Sequence, residues 1–587
     1  SEGNFVDEWL QVAGGGQRFK FNLLTQKSQA EANKIAFDHA DVPEYAFEKA
    51  GVVFNFSTDF LENWGNPVEN ARRFTDMHVY KNGRKNKFIH ISPQVSLTGA
   101  KADRWIVINP GTEGLVALAI ASVIQKENGT YKFLKKYLQA YSPEKVAEAT
   151  GVSAEILSEL AIDAMEHGPL LALGGGNVSA TDQSVETLVA VNILNAVSGA
   201  LNKTILFSDQ TAPESSTHQD LTQLISDLNA GKIKLLIVDD SNPVYALPPS
   251  MGFLQAMKKA FVVSLASQKS ETTHAANLVL PALTAYESWG DAFPRNGVRS
   301  IQQPVMSTVN MFDARAREDI LLSVAQNVNK KAFSGNSSYL DYLQNIWQKI
   351  QRKVGDRRNF DSFWISVLEN GGIFEKPKFI RASLNRRVAS VKLNDPGMAG
   401  SDGLTLLPTT SLLLGDGSGA NKPWLQEVPD PMSQIVWDSW MEINPDTAQK
   451  LGINDRAIVE VSTPYGSVQA TAYYHFGIHR NAIAIPMGQG HQHSGDVADG
   501  FGINVMELLP DQMDKAGSLV FVGAKAKLKL INEKSYTVNT DGNARQLGRD
   551  ISAATTVEEL KHPEKHSAGH NRPVEFYPDR SETAGYY

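Results

Sequence analysis

The sequence predicts a multi-domain α/β protein that ends in a β-barrel, and three observations support this. From Ala50 onward, short apolar strands such as GVVFNF and KFIHIS alternate with amphipathic helical segments, a pattern typical of parallel sheets with crossover helices. From residue 404 the pattern changes to strands separated by turns. With 587 residues, 42% of them hydrophobic and 20% charged, the chain has the composition of a packed globular protein with several domains.

The pattern divides the chain into six parts. These are an N-terminal segment of unclear fold at 1–45, a first α/β domain formed by 46–140 and 235–330, a second α/β domain at 141–234, a helical connector at 331–403, a β-barrel at 404–532 and an extended tail at 533–587.

A glycine loop follows the strand PLLALGGG. Gly174 to Gly176 precede a helix that we expect from about Val185 to Val197. Strand, glycine loop and helix is the arrangement of a dinucleotide cradle. The letters GGGNVS do not match G-x-G-x-x-G, and a tight turn between packed elements explains the glycines equally well. We therefore favour the tight turn.

The barrel region reads MEINPDTAQKLGINDRAIVEVSTPYGSVQATAYYHFGIHRNAIAIP. It contains, in order, a strand, a short helix, a strand, a hairpin turn and further strands. Pro445 suits a helix start, Gly452 stands just after the helix end, and Pro464 to Gly466 suit the turn.

The chain contains no cysteine. It therefore offers no thiolate to an iron–sulfur cluster, a disulfide or a nucleophilic mechanism. A net charge of -8 without a basic stripe disfavours nucleic-acid binding. The longest apolar run, Leu115 to Ile124, is far shorter than the roughly 20 residues that span a bilayer, so we expect no transmembrane segment. Because Ser1 is not an initiator methionine, we expect a processed or incomplete N-terminus.

The stretch from Asn242 to Pro294 contains the most specific pattern. It reads E-T-x-x-x-A-x-x-V-L-P from Glu271 to Pro281, followed by E-x-x-G at Glu287 and Gly290. This resembles the large subunits of molybdopterin oxidoreductases, and the barrel region closely resembles the dinucleotide-binding domain that ends them. The resemblance implies a molybdopterin oxidoreductase-like fold, with parallel α/β sheets and a C-terminal double-psi-type β-barrel.

Two positions depart from the family pattern. Relatives that carry a guanine dinucleotide cofactor have an aspartate facing the guanine where this chain has Glu113. In the upstream turn VVFNFSTDFLENWGNP, Phe60 and Leu61 add bulk, and the small residues are displaced to Gly65 and Asn66. Bulky side chains oppose the close approach of backbone N–H groups to phosphates. We therefore expect the nucleotide pocket to be filled.

Two carboxylates, Asp239 and Asp240, end the strand KLLIVDD. Because ligands bind beyond the carboxyl ends of parallel strands, a metal-binding or acid–base role is one interpretation. The other is that they cap the loop of Ser241 and Asn242. The family resemblance favours the loop, because its members commonly have a G-x-N-P turn there.

Histidines cluster beyond the barrel strands and in the tail. His491 and His493 lie on a glycine-rich loop, where imidazoles could hold a metal. No carboxylate or thiolate is spaced to complete such a site, so we expect a structural role. His475 and His479 belong to the same cluster, whereas the tail histidines His562, His566 and His570 lie among Pro563, Lys565 and Gly569, which is typical of a solvated linker.

The tail HPEKHSAGHNRPVEFYPDR resembles a connector in the B subunit of bacterial alternative complex III. Trp289, Gly290 and Asp291 also resemble that subunit, and the likeness runs from about Ala46 to the end without the cysteine-rich ferredoxin-like part. It implies a non-catalytic structural subunit of a membrane complex that oxidises quinol and passes electrons to cytochrome c or a similar carrier. The implied place is the periplasmic face of the bacterial membrane.

The same resemblance implies partners and cofactors. The partners would be a multihaem cytochrome c subunit, an iron–sulfur ferredoxin-like domain and quinol-binding integral membrane subunits. The iron–sulfur clusters and haems c would belong to these partners. For this chain itself we expect no cofactor, and no catalytic, cofactor-binding or metal-binding residue.

Three alternatives remain open. The chain could be an active bis-molybdopterin oxidoreductase of the polysulfide or thiosulfate reductase kind, with an oxygen ligand to molybdenum. It could be a relative of the large peripheral subunit of respiratory complex I. It could also be a soluble, non-redox binding protein that has kept the fold.

Overall fold

The structure is a computed structural model that describes residues 2–80, 83, 85–208, 216–295, 297–309, 311–397, 403–535, 537–540 and 561. The chain separates into two units, 1–538 and 539–587. The account below concerns the first unit. The predicted tail at 533–587, with His562, His566 and His570, lies almost entirely outside the described residues.

The N-terminal segment and the first α/β part contain eight helices and six strands among the described residues. They are α1 (Glu2–Val12), α2 (Lys27–Phe37), β1 (Glu44–Tyr45), β2 (Val52–Phe56), α3 (Pro67–His78), β3 (Lys87–Ser92), β4 (Arg104–Val107), α4 (Glu113–Asn128), α5 (Lys135–Leu138), α6 (Pro143–Thr150), α7 (Ala154–Glu166), β5 (Leu170–Gly174), α8 (Ser184–Val197) and β6 (Ile205–Ser208).

The first sheet is parallel and has the strand order β4-β3-β2-β5. All five residues of β2 are buried, as expected for a parallel strand covered on both faces by helices. Val52 of β2 pairs with Lys87 of β3 on one side and with Leu170 of β5 on the other. Helix α8 is buried along its whole length, which explains why apolar residues occur on all of its sides.

This strand pairing differs from the division expected from the sequence. Strand β5 lies in the segment 141–234, yet it extends the sheet formed by strands of 46–140. The strands of 235–330 make separate sheets. The reason is that crossover helices allow a strand to join either sheet, and only contacts distant in sequence select the partner.

The next part of the chain forms further helices and two more sheets. Their elements are α9 (His218–Asn229), β7 (Leu235–Asp239), α10 (Pro243–Ala246), α11 (Phe253–Met257), β8 (Phe261–Ala266), α12 (Glu271–Ala275), β9 (Leu278–Pro281), β10 (Gly290–Arg295), β11 (Val298–Gln302), α13 (Arg317–Val328), α14 (Tyr339–Val354), α15 (Phe360–Asn370), β12 (Gly372–Phe374) and β13 (Phe379–Ile380). Strands β7, β8 and β9 form a parallel sheet, and β10, β11 and β12 form an antiparallel one. The predicted connector at 331–403 contains α14 and α15, but also two short strands.

The last part is a closed barrel. Its elements are β14 (Leu404–Thr409), α16 (Pro423–Glu427), β15 (Trp440–Ile443), α17 (Pro445–Lys450), β16 (Ile458–Ser462), β17 (Ser467–Tyr474), β18 (Ala482–Pro486) and β19 (Lys525–Asn532). Six strands close in the order β14-β18-β15-β17-β16-β19, with both parallel and antiparallel pairs. The predicted α/β fold with a C-terminal barrel is confirmed. None of the helices in the described part of the chain is long and apolar enough to cross a membrane.

Candidate functional site

A large cleft opens between the first α/β part and the barrel. Its volume is about 1390 Å³, and its walls include the turn after β2, the loop after β5, helix α2 and barrel residues such as Thr410 and Ser518. Pockets for small molecules usually measure roughly 300–1,000 Å³. The cleft is therefore large enough for an extended ligand.

The glycine loop after β5 forms one wall of this cleft. Gly175 adopts a φ of 100°, a backbone conformation that favours glycine. A Cβ atom on Gly176 would lie 1.8 Å from the carbonyl oxygen of Ser57, so this glycine is required by the packing of the two loops. Gly175, Gly176 and Asn177 all line the cleft, and the Asn177 amide donates a hydrogen bond of 2.5 Å to the hydroxyl of Thr410. The loop is thus a tight turn, as favoured from the sequence, and also a cleft wall.

The turn after β2 forms the adjacent wall, and Phe60 does not fill it. The Phe60 side chain is fully buried in the core, where its ring centroid lies 5.0 Å from that of Phe47, 5.4 Å from Phe74 and 5.5 Å from Phe88. The expectation that this pocket is filled is therefore wrong. The sequence shows that the residue is bulky, but the direction of its side chain depends on the aromatic cluster beneath the turn.

Glu113 begins α4 and does not line the cleft. Its side chain is buried, and its Oε1 accepts a hydrogen bond of 2.8 Å from the Ser57 hydroxyl. Among the described residues no donor reaches its Oε2. Burial raises the pKa of Glu113 to about 7, and its own backbone N–H and Ser57 only partly oppose this. Glu113 is thus part of the domain interior.

The two carboxylates at the end of β7 hold a loop together. Asp240 accepts hydrogen bonds from the backbone N–H and the hydroxyl of Ser267, at 3.0 and 2.9 Å. The Arg317 guanidinium lies 3.5 Å from Asp239 and 3.3 Å from Asp240. These contacts agree with the loop interpretation. In the ranges that the structure describes, no three histidine or acidic side chains are grouped closely enough to hold a metal.

Glu271, the first residue of the E-T-x-x-x-A pattern, joins the β7-β8-β9 unit to the barrel. Its carboxylate accepts hydrogen bonds from the Asn242 amide at 2.6 Å and from the Gln492 backbone N–H at 2.8 Å, and it lies 3.1 Å from Nδ1 of His491. The His491 ring stacks on Tyr245 with centroids 3.8 Å apart. Burial disfavours the charge of Glu271, but these hydrogen bonds outweigh it and hold its pKa well below the usual range.

The barrel histidines have structural contacts. His491 and Glu271 form the contact just described, and the ring of His493 stacks on His274 with centroids 3.7 Å apart. His475 Nδ1 lies 2.8 Å from the buried carboxylate of Glu442. No sequence signal identified these partners, because they lie far away in the chain.

Comparison with known proteins assigns the chain to a family. A family model for molybdopterin oxidoreductases matches residues 15–327, which is more than half of the chain. The chain belongs to the molybdopterin oxidoreductase family. A second model, for the molybdopterin dinucleotide-binding domain, matches residues 424–517 in the barrel part.

Three known proteins are similar to the chain over most of its length. The chain is 27% identical over 504 residues to the molybdopterin-binding-like subunit of menaquinone reductase from Nitratidesulfovibrio vulgaris, covering 82% of this chain and 71% of that protein. It is 21% identical over 681 residues to the molybdopterin-containing subunit of arsenate respiratory reductase from Shewanella sp. strain ANA-3, covering 86% and 77%. Acetylene hydratase from Pelobacter acetylenicus shares the fold, with a TM-score of 0.62 and 17% identity over 87% of this chain and 81% of that one.

The family models overturn the expectation that this chain has no cofactor. Both describe molybdopterin-handling regions and so point to a molybdopterin cofactor. The residues present fit the organic part of such a group, because the cleft is open and is lined by Gly175, Gly176, Asn177 and the ammonium-bearing Lys27 and Lys34. Backbone N–H groups of a glycine loop and lysine side chains are suited to phosphates. Since the chain has no cysteine, it offers no thiolate ligand to molybdenum.

The sequence led to more specific expectations about the complex, its partners and its location. The comparisons support the family and respiratory relatives, but they do not confirm the B subunit of alternative complex III. They also do not support the expected iron–sulfur and haem partners or the periplasmic location.

Proposed function

We propose that this chain is the molybdopterin-type subunit of a respiratory quinone oxidoreductase complex and holds its cofactor in the cleft. The observation that carries the proposal is the similarity to a menaquinone reductase subunit over 82% of the chain. The open cleft beside the glycine loop supports the cofactor assignment.

The absence of cysteine supports a role within a larger assembly. Without thiolates this chain does not bind iron–sulfur clusters in the usual way, so electrons would travel to and from it through centres in other subunits. Because the tail resembles a connector in the B subunit of alternative complex III, we propose further that the complex is of this kind. The partners would then be a multihaem cytochrome c, an iron–sulfur ferredoxin-like domain and quinol-binding membrane subunits at the periplasmic face, with this chain as their structural platform.

Purification from native membranes tests the proposal. The complex would be extracted in mild detergent, its subunits identified by mass spectrometry, and its pterin measured by fluorescence after oxidative release. We expect co-purified membrane and electron-transfer subunits together with released pterin. A lone monomer would contradict the subunit role, an NADH-oxidising arm would indicate the complex I alternative, and a preparation free of pterin would contradict the cofactor assignment.

A second candidate function is that of a catalytic reductase subunit. The similarity to the molybdopterin-containing subunit of arsenate respiratory reductase favours it. Metal analysis by inductively coupled plasma mass spectrometry separates the two functions, because a reductase subunit requires stoichiometric molybdenum. Reduction of a sulfur or arsenic oxyanion by the purified chain would then support catalysis.

A further inference from the structure

A buried histidine, His90, lies beside Asn55 on the two central strands of the first sheet. The residues are partners in the register of β3 and β2, and both are fully or almost fully buried. The Asn55 Nδ2 atom lies 3.0 Å from Nδ1 of His90, and His90 Nε2 lies 3.1 Å from the carbonyl oxygen of Gln94. A Cβ atom on Gly99 would lie 2.7 Å from Cδ2 of the ring, so glycine at this position leaves room for it. Both ring nitrogens therefore have a partner.

The amide of Asn55 determines which ring nitrogen carries the proton. Its Oδ1 accepts hydrogen bonds from the backbone N–H and the hydroxyl of Thr58, at 3.1 and 2.5 Å, and its Nδ2 donates to the Thr58 carbonyl oxygen at 2.7 Å. These backbone groups fix the orientation of the amide, so an N–H faces Nδ1 of His90. Nδ1 must then accept, while Nε2 must donate to the Gln94 carbonyl. Only a neutral ring with its proton on Nε2 meets both requirements.

Burial supports the neutral form of this ring. It lowers the pKa of His90 to about 4, and the hydrogen bond to the Gln94 carbonyl only partly opposes this. The ring therefore stays neutral at physiological pH.

On one side, the contacts of His90 lead to the cleft. Asn55 holds Thr58, which is followed directly by Asp59 in the turn after β2. The backbone carbonyl of Asp59 accepts three backbone hydrogen bonds that close this turn. Asp59 and Trp64 of the turn line the cleft. The contact between His90 and Asn55 thus supports a wall of the cleft from within the sheet.

On the other side, the contacts lead to the barrel. The segment 93–95 pairs with the barrel loop 477–479 through two backbone hydrogen bonds of 2.7 Å. Within this contact the side-chain amide of Gln94 donates a hydrogen bond of 2.6 Å to the buried carboxylate of Glu442, which also lies 2.8 Å from Nδ1 of His475. A series of hydrogen bonds therefore connects the turn after β2 with the barrel.

We propose that His90 is a positioning residue: its neutral ring connects the turn after β2 with the barrel loop 477–479, so that a ligand bound in the cleft also tightens this barrel contact. The ligand rests on the proposed function, whereas the connection rests on the hydrogen bonds themselves. Because coupling between two sites is reciprocal, breaking the connection at His90 also weakens binding in the cleft.

Ionisable groups also lie on the elements around His90. They are Asp59 and Glu62 in the turn after β2, Lys101, Asp103 and Arg104 at the start of β4, Glu113 at the start of α4, and Glu442 and His475 in the barrel. Within the described residues none of them forms a salt bridge with His90. The state of the ring therefore follows from its burial and from its contacts with Asn55 and Gln94.

Nitrogen NMR of the ligand-free protein with ¹⁵N-labelled histidine tests the ring. We expect a neutral ring with the proton on Nε2, identified by its absence from His90→Asn. It should remain neutral at about pH 5, where an exposed histidine is charged. A His90 ring with its proton on Nδ1, or a charged ring at that pH, would overturn the proposal.

Hydrogen exchange in two variants separates the two ends of the connection. His90→Gln can still donate to Gln94 but offers no acceptor in place of Nδ1, so exchange should become about fivefold faster in the turn 57–64. His90→Asn can still accept from Asn55 but does not reach Gln94, so the faster exchange should appear at 477–479. Unchanged exchange in both segments would overturn the positioning role.

The matched control is His218→Gln in α9. His218 is also buried and burial lowers its pKa to about 4, but among the described residues its Nε2 has no partner, and it does not line the cleft. Exchange in both segments should stay as in the wild type. If His218→Gln produced the same changes as the His90 variants, they would reflect the loss of any buried histidine, and the proposal would be wrong.

Guanosine diphosphate, the nucleotide half of a pterin guanine dinucleotide, tests the coupling to the cleft. When it saturates the wild type or His218→Gln, exchange at 477–479 should slow about fivefold, although this loop does not line the cleft. In His90→Gln and His90→Asn the slowing should be absent, and calorimetry should show about fivefold to tenfold weaker binding.

Slowing that persists in both His90 variants would overturn the coupling. If guanosine diphosphate did not bind to the wild type, the proposed cofactor cleft would be wrong. The NMR and exchange measurements on the ligand-free protein would still decide the positioning role of His90.

Discussion

Single residues in this protein take roles that depend on where their side chains point. Glu113 stands where the family pattern led us to expect a cofactor-facing acid, yet it is buried and accepts a hydrogen bond from Ser57. Phe60 stands in a turn near the cleft, yet its ring joins the core with Phe47 and Phe74. In both cases the residue type is visible in the sequence, whereas its partners come from strands and helices elsewhere in the chain.

The substitution Glu113→Gln should make the protein less sensitive to alkaline pH. The folded state raises the pKa of Glu113 from 4.5 to about 7, so the stability contributed by the protonated form is complete below 4.5 and is lost as the pH rises through 7. Between about pH 5 and about pH 8, the difference in free energy of unfolding between variant and wild type should move by about 2–3 kcal/mol in favour of the variant. Urea unfolding at both pH values measures this.

The matched control is Glu155→Gln, in the first turn of α7. Glu155 is exposed, and hydrogen bonds from its own backbone N–H and from Ser153 lower its pKa. This variant should therefore show no gain at alkaline pH. An equal response of the two variants would show that burial of Glu113 is not the cause.

At the scale of elements, the loops after β2 and β5 are packed against each other and together shape the cleft. Strand β5 runs parallel to β2, so both strands end at the same edge of the sheet. The alternation of strands and helices was predictable, because buried parallel strands and amphipathic helices have distinct apolar patterns. The pairing of β5 with β2 was not, because it joins segments that are more than a hundred residues apart.

The substitution Gly176→Ala should destabilise this pair of loops. The added Cβ would lie 1.8 Å from the Ser57 carbonyl oxygen, so one of two backbone segments must move. We expect a loss of at least about 2 kcal/mol in the free energy of unfolding, together with a changed cleft. Thermal and urea unfolding measure the loss.

Gly290→Ala is the control for this prediction. The nearest atom to its added Cβ is 3.6 Å away on the Gln302 side chain, which is ordinary contact. It should be close to wild type in stability. A similar loss in both variants would indicate a general effect of replacing glycine and would contradict the packing argument.

At the scale of the whole molecule, Glu271 of the E-T-x-x-x-A pattern connects the β7-β8-β9 sheet to the barrel. Glu271 belongs to the unit of β7, β8 and β9, while His491 and Gln492 belong to the barrel. A second joint is formed by Glu442 of β15, which accepts a hydrogen bond of 2.6 Å from Gln94 beyond β3 and contacts His475. The carboxylates at these joints connect the α/β layers to the barrel.

The substitution Glu271→Ala should weaken the joint between the β7-β8-β9 unit and the barrel. It removes the acceptor for Asn242 and for the Gln492 backbone N–H, and it leaves the buried His491 without its carboxylate. The expected loss is about 2–4 kcal/mol in the free energy of unfolding. Hydrogen exchange should also rise in the loop around Gln492.

Glu287→Ala provides the comparison within the same sequence pattern. Glu287 is half-exposed and accepts hydrogen bonds from Thr284 and from the Val309 backbone N–H, none of which belongs to the barrel. We expect a much smaller loss and no change in exchange near Gln492. If Glu287→Ala were as destabilising as Glu271→Ala, the joint would not be the reason for the effect.

The sequence by itself determined the fold class, the barrel at 404–532 and the family, because periodic burial and the pattern from Glu271 to Gly290 depend on local order along the chain. Only the tertiary structure decided which strands share a sheet, that Phe60 leaves the cleft open, and that Glu271 meets His491 of the barrel. The physical reason is that bulk and charge are properties of a residue, whereas cavities, hydrogen-bond partners and shifts in pKa are properties of its neighbours in space.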